Sequence, residues 1–224
     1  MNDLRPDTPR AVLWDLDGTL LDSAHYHWLS WQEAFAAEGV EMTRELFAQT
    51  FGQRNDTILR TFFGADLPDA EVDRIADGKE IRYRELVRTH GVALLPGVGD
   101  WLERLAAAGW RQALATSAPR LNVNAILDEL DVAAYFNAVV QAEDVQQGKP
   151  DPQVFLLAAA RVAAPAHRCV VVEDALAGIE GAHRAGMKAI GVGPAYATLP
   201  ADRTAPTLDA LPADAFDSLL DGGL

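Results

Sequence analysis

The chain has one cysteine in 224 residues, which excludes an internal disulfide and leaves no cysteine–histidine cluster for zinc. That residue sits in the run Cys169-Val170-Val171-Val172, where it reads as a small buried apolar side chain without a chemical role. No apolar stretch approaches the roughly 20 residues that cross a bilayer. Nothing at the N-terminus resembles a secretory leader, so the expected setting is soluble and cytoplasmic. Basic residues are also scarce: 19 Lys and Arg stand against 33 Asp and Glu, a formal charge of −14. Such a surface repels a phosphate backbone or an anionic membrane, which argues against nucleic acid and membrane as partners. An anionic substrate would need local cations or a bound metal.

What the chain does have is apolar residues, 49% of the total, enough for a sizeable core. The informative stretch is Ala11-Val12-Leu13-Trp14-Asp15-Leu16-Asp17-Gly18-Thr19-Leu20. An apolar run of this kind reads as a strand buried on both faces, with Gly18 allowing a sharp turn just beyond it. Two carboxylates one residue apart at the end of a buried strand repel one another unless a cation or a shared proton compensates. The pattern points to a divalent-metal or acid/base site.

Residues 24–90 hold helical patterns and no convincing strand, beginning with Trp28, Trp31, Phe35 and Ala36 at helix spacing. Further helices are expected near Arg44–Phe51, Asp56–Phe63 and Pro68–His90. Beyond Pro96-Gly97, apolar strands alternate with amphipathic helices. The expected strands are Gln112–Ala115, Ala138–Val140, Cys169–Val172 and Ala189–Val192, and the helices Val98–Ala108, Asn122–Leu130, Pro152–Arg161 and Ala175–Ala185. A short last helix is expected near Asp214–Leu220. Alternation of this kind predicts an α/β fold, a parallel sheet covered by helices on both faces.

Ligands of open α/β sheets bind outside the carboxyl ends of the strands. Asp15 and Asp17, then Thr116-Ser117, then Gly148-Lys149-Pro150, then Glu173-Asp174 follow four successive strands. Each has an ordinary explanation taken singly: Thr116 as a helix N-cap, Glu173-Asp174 as capping acids, Lys149 as a solvated loop residue. Four such coincidences at four strand ends are far less probable than one site. Asp15, Asp17 and Asp174 offer hard oxygen ligands of the kind Mg²⁺ accepts alongside water and substrate phosphate. One carboxylate can attack an electrophile while the other moves a proton. Lys149 and Thr116 would hold phosphoryl oxygens and offset the charge that grows on them.

These residues resemble the four motifs of the haloacid dehalogenase superfamily over nearly the whole chain. Asp15-Leu16-Asp17-Gly18-Thr19 matches the first motif, Thr116 the second, Lys149 in Gly148-Lys149-Pro150-Asp151-Pro152 the third, and Glu173-Asp174-Ala175-Leu176-Ala177-Gly178-Ile179 the fourth. The resemblance implies a Rossmann-like catalytic core, residues 1–21 and 91–224, with an all-helical cap inserted at 22–90. It implies a Mg²⁺-dependent phosphatase of small phosphorylated metabolites, sugar phosphates first among them. Asp15 would be the nucleophile that becomes phosphorylated, and Asp17 the acid and then the base. Mg²⁺ would be held by Asp15, the Asp17 carbonyl and Asp174, with Glu173 beside them, and the phosphoryl group by Thr116, Ser117 and Lys149.

Asp17 argues against halide displacement, which needs no leaving-group acid. The segments Asp22–His27 and Gly52–Asp56, with Lys79, are similar to the beta-phosphoglucomutase-like group. A hexose-phosphate mutase is therefore the second reading. Against it, Thr19 closes the first motif where mutases commonly carry Val, and Ser117-Ala118-Pro119-Arg120 stands where mutases carry a polar run for a second phosphate. A catalytically silent binding protein is a third reading, disfavoured because Asp15, Asp17, Thr116, Lys149 and Asp174 are all present. His27, Arg54, Lys79 and Arg120 are the candidates for contact with the substrate. The expected oligomeric state is a monomer.

Overall fold

The computed structural model describes residues 8–221. Six parallel strands form one sheet in the order β3-β2-β1-β4-β5-β6, with β1 Ala11–Trp14, β2 Arg111–Ala115, β3 Ala138–Val140, β4 Cys169–Glu173, β5 Lys188–Gly191 and β6 Arg203–Thr204. β1 is central and wholly buried, with Leu13 in register with Ala113 on one side and Val171 on the other.

Successive side chains of a strand point to opposite faces, and the core divides accordingly. Val12, Trp14, Leu114, Val170 and Val172 pack with α5 (Val98–Ala107) and α6 (Arg120–Leu130). Ala11, Leu13, Ala113, Ala115 and Val171 pack with α7 (Gln153–Arg161) and α8 (Leu176–Arg184). Each fully buried Val or Leu contributes about 1.5–3 kcal/mol relative to exposure, so these two layers hold the sheet rigid beneath the site. α9 (Asp217–Asp221) starts three residues later than the tail pattern implied. β6, two residues long at the sheet edge, carries no apolar run that would announce it.

Between β1 and α5 lie four helices, α1 Ala24–Ala37, α2 Arg44–Thr50, α3 Asn55–Phe63 and α4 Asp69–His90. They enclose their own apolar cluster, in which Trp28, Trp31, Phe35, Phe47, Ile58, Leu59, Val72 and Ile75 are buried. Thr43 caps α2 by accepting from the Leu46 amide at 3.3 Å. Pro68 stands at the N-cap of α4 rather than in its first turn. The chain leaves the sheet and returns to it side by side: Leu21 bridges Leu94, and the Leu95 amide donates to the Leu20 carbonyl at 2.9 Å. No helix among the described residues is long and apolar enough to cross a membrane.

Candidate active site

The order β2-β1-β4 puts the ends of three strands side by side, with β3 next to β2. The Asp15 amide continues the ladder to the Val172 carbonyl at 3.0 Å, and the Thr116 amide to the Val140 carbonyl at 3.0 Å. Asp15 and Thr116 are therefore fixed by sheet hydrogen bonds, and both are buried. Beyond Asp17 the chain reverses at Gly18, whose φ is +84°. A Cβ there would also lie 2.1 Å from Asp174 Oδ2, so glycine is required both by the backbone conformation and by the approach of the fourth motif.

Lys149 is the hub of the core half. Its Nζ donates to Asp15 Oδ1 at 2.5 Å and to Glu173 Oε1 at 2.6 Å. Burial alone would depress its pKa, but the Asp15 and Glu173 charges and hydrogen bonds outweigh that and lift it above the ordinary lysine value. The other Glu173 oxygen accepts the amides of Asp174 and Ala175, both at 3.0 Å. Glu173 thus ties the lysine to the loop that leads into α8. The Thr116 hydroxyl accepts the Ala118 amide at 3.0 Å, which leaves its proton for a ligand.

One carboxylate oxygen from each of Asp15, Glu173 and Asp174 falls within 4.8 Å of the others. Burial, and then repulsion from Glu173 and Asp15, pushes the Asp174 carboxyl up to about 9. Burial likewise raises Asp15 to about 7, with Glu173 and Asp17 adding to it and Lys149 opposing. Three clustered oxygens under one ammonium are short of positive charge, and their hard donors match Mg²⁺. The residues fit that ion.

Asp17 sits in a different environment. Its Oδ1 accepts from Ser23 Oγ at 2.5 Å and from Tyr83 Oη at 3.4 Å, and lies 3.2 Å from His27 Nε2. Burial pushes the Asp17 carboxyl up, but the His27 charge and hydrogen bond, with the Ser23 hydrogen bond, bring it below the usual carboxylate value. The two aspartates therefore sit in different environments, Asp15 against Lys149 and Asp17 against Ser23, Tyr83 and His27. Tyr83 also stacks on the His27 ring, with centroids 4.1 Å apart.

The two halves meet at a cavity of about 40 Å³. Asp15, Asp17, Thr116 and Ser117 line it from the sheet, and His27, Lys79, Glu80 and Asn55 from the helices. Lys149, bonded to Asp15, and Asp174, clustered with it, are not part of that lining. Of the candidates for substrate contact, His27 and Lys79 are brought to the cavity and Arg54 and Arg120 are not. The Arg54 guanidinium donates to the carbonyls of Ala142 at 2.8 Å and Val145 at 3.0 Å and pairs with Asp56 at 3.2 Å. Arg120 points outward: its guanidinium is 3.9 Å from Asp144 and, with the Gln141 amide oxygen turned to it, donates three bonds of 3.1–3.2 Å.

Sequence reasoning missed Glu80. Its Oε1 accepts from Lys79 Nζ and Asn55 Nδ2, both at 2.7 Å, and its Oε2 from Asn122 Nδ2 at 2.5 Å. Lys79 also reaches His27 Nδ1 at 2.9 Å. A lysine–glutamate pair in a helix reads as solvated surface. Its signal was the placement of Lys79 and Glu80 between Ile75, one turn before them, and Tyr83, one turn after, apolar residues that bury that face.

A parallel α/β sheet whose strand ends carry two aspartates, a buried lysine and a hydroxyl is the arrangement of an enzyme that takes a phosphoryl group from an ester. Comparison with known proteins agrees. The model of the haloacid dehalogenase-like hydrolases matches residues 9–186, and the chain belongs to that family. It is 32% identical over 190 residues to protein CbbY of Rhodobacter capsulatus, covering 81% of this chain and 84% of that one. It is 34% identical over 199 residues to the beta-phosphoglucomutase of Bacillus subtilis, covering 86% and 87%. The crystal structure of beta-phosphoglucomutase from Clostridium difficile superposes with a TM-score of 0.86 over 96% of this chain and 98% of that one, at 23% identity, a likeness of fold.

Proposed function

We propose that this chain is a Mg²⁺-dependent phosphatase of small phosphorylated metabolites, sugar phosphates among them, working through a phosphoaspartyl intermediate on Asp15. The observation that carries the reading is the placement of Asp15: buried at a strand end, held by Lys149 Nζ, and two residues before an Asp17 whose carboxylate is held on the side of the helices by Ser23 and His27. Mg²⁺ held by Asp15, Asp174 and the Asp17 carbonyl would neutralise charge on the phosphoryl oxygens. Asp15 attacks phosphorus and the ester P–O bond breaks, while Asp17 delivers a proton to the departing alcohol. Asp17 then takes a proton from water, which attacks the aspartyl phosphate and releases inorganic phosphate with Asp15 restored. Thr116, Ser117 and Lys149 orient the phosphoryl group throughout.

We take residues 22–90 as a cap hinged at the Leu20–Leu21 and Leu94–Leu95 crossing, with residues 1–21 and 91–224 as the core. Cap closure would expel bulk water and bring His27 and Lys79 to the leaving group. The placement of Arg54 and Arg120 favours hydrolysis over the mutase reading, which needs a second phosphate site. The deciding experiment is Asp15→Asn, assayed for phosphate release and for covalent phosphorylation by mass spectrometry. Turnover should fall by at least about 10³-fold with no phosphoenzyme and an unchanged fold. Wild-type turnover in that variant would refute the nucleophile.

A further inference from the structure

The leaving-group side of the cavity has an unusual balance of charge for an enzyme of anionic substrates. Lys79 is the cation from the helices that lines it, and its Nζ is already bonded to Glu80 Oε1 and His27 Nδ1. Glu80 adds a buried carboxylate to that of Asp17. The two arginines nearest in sequence to a second anion site are held outside. Arg54 is seated, not merely turned away: its side chain lies across Gly148, where a Cβ would stand 2.7 Å from Arg54 Cδ, and its donors end on two core carbonyls and Asp56.

A second phosphate or carboxylate entering this space would lose its hydration facing two carboxylates and a lysine that is already paired. Burying a charge without a partner is strongly unfavourable. Hydroxyl groups meet the opposite situation. Glu80 Oε2 accepts a single bond, from Asn122, and the Asn55 amide oxygen accepts none among the described residues, so both retain capacity for hydroxyl donors.

We infer that the substrate is the monophosphate ester of a small uncharged alcohol or polyol, and that Glu80 excludes leaving groups bearing a second anionic group. The inference rests on the phosphatase reading and narrows it. Its test is the rate of phosphate release by the full chain with Mg²⁺ on matched pairs. Ethylene glycol monophosphate is set against phosphoglycolate, and glucose 6-phosphate against glucose 1,6-bisphosphate, with p-nitrophenyl phosphate as a probe of hydrolysis itself. Since like charges facing one another oppose binding, kcat/KM should favour the singly charged member of each pair by at least about tenfold. The difference should lie mainly in KM, and Glu80→Gln should narrow it several-fold.

Equal or better turnover of the doubly charged members would overturn the inference. So would selective loss of that turnover in Arg54→Ala, since it would mean that Arg54 leaves its carbonyls to hold a distal anion. Turnover of p-nitrophenyl phosphate without discrimination within the pairs would reject the specificity and keep the phosphatase. No turnover of any ester would reject both.

Discussion

Gly178 lies directly beneath the Glu173 carboxylate: a Cβ at position 178 would stand 1.9 Å from Glu173 Cδ and Oε1. The first turn of α8 thus has no side chain at the point where Glu173 folds back to hold Lys149 and the Asp174 and Ala175 amides. Gly178→Ala would drive Glu173 out and leave Lys149 on Asp15 alone. The expected outcome is a loss of stability of about 1–3 kcal/mol, as for overpacked cores, with a fall in kcat larger than any rise in KM. Thermal unfolding and steady-state kinetics check it. A variant with wild-type kcat would mean that Glu173 does not position the lysine.

Asp17→Asn separates proton transfer from structure. All three contacts of this side chain fall on Oδ1, from Ser23, His27 and Tyr83, and an amide oxygen can accept the first and third unchanged. The fold should persist while kcat drops by about 10²–10⁴-fold, the usual weight of a positioned acid or base. Rapid-quench measurement of the phosphoenzyme should show slow formation and slow decay. Normal rates for both steps would remove Asp17 from the proton path.

The Asp15 and Asp174 carboxyls, raised to about 7 and about 9, tie metal, pH and stability together. In the unfolded chain both have ordinary values, 3.8, so from there up to these raised values the folded state binds more protons than the unfolded state. By linkage, the metal-free protein loses stability as pH rises across that window. Mg²⁺ takes the ionised forms, so binding should release protons, and its apparent affinity should strengthen from pH 6 toward about 9. At about 100 times its Kd, Mg²⁺ should add about 2.7 kcal/mol. Thermal scans across pH in EDTA and in Mg²⁺ read both effects. A Tm insensitive to Mg²⁺ at pH 8 would contradict the assigned ligands.

Most of the sheet and the core half of the site were legible because their signals are local. β3 matches its apolar run residue for residue, and β1, β2, β4 and β5 match to within a few residues. Asp15 and Thr116 follow strands directly, Glu173 ends β4 with Asp174 next to it, and Lys149 lies in the loop from β3 to α7, so reading the strands located them. The helical half was harder. Lys79 and His27 were found through the likeness of their segments to the beta-phosphoglucomutase-like group, but their partners were not, because the Lys79–Glu80–Asn122 chain joins α4 to α6 across 42 residues of sequence between Glu80 and Asn122. Arg54 and Arg120 show the limit most clearly: a cation near a motif has the same sequence whether it faces a ligand or a carbonyl. Packing decides, here the bare Cα of Gly148 beside Arg54 and the turn at Gln141 beside Arg120.

That packing yields a last prediction. Arg54 precedes α3 and bonds to carbonyls of the segment between β3 and α7, so it fastens the helical segment to the core within a few residues of Lys149. Gly148→Ala would push the arginine off both carbonyls without touching Asp15, Asp17 or Thr116. Two hydrogen bonds from a charged donor contribute about 1.5–3 kcal/mol each, and their loss should leave the helices free to open. Amide hydrogen exchange across residues 52–56 should accelerate, and KM should rise several-fold with kcat less affected, because closure is weakened while the reacting groups stay in place. Unchanged exchange in that segment would show that Arg54 does not fasten the two halves.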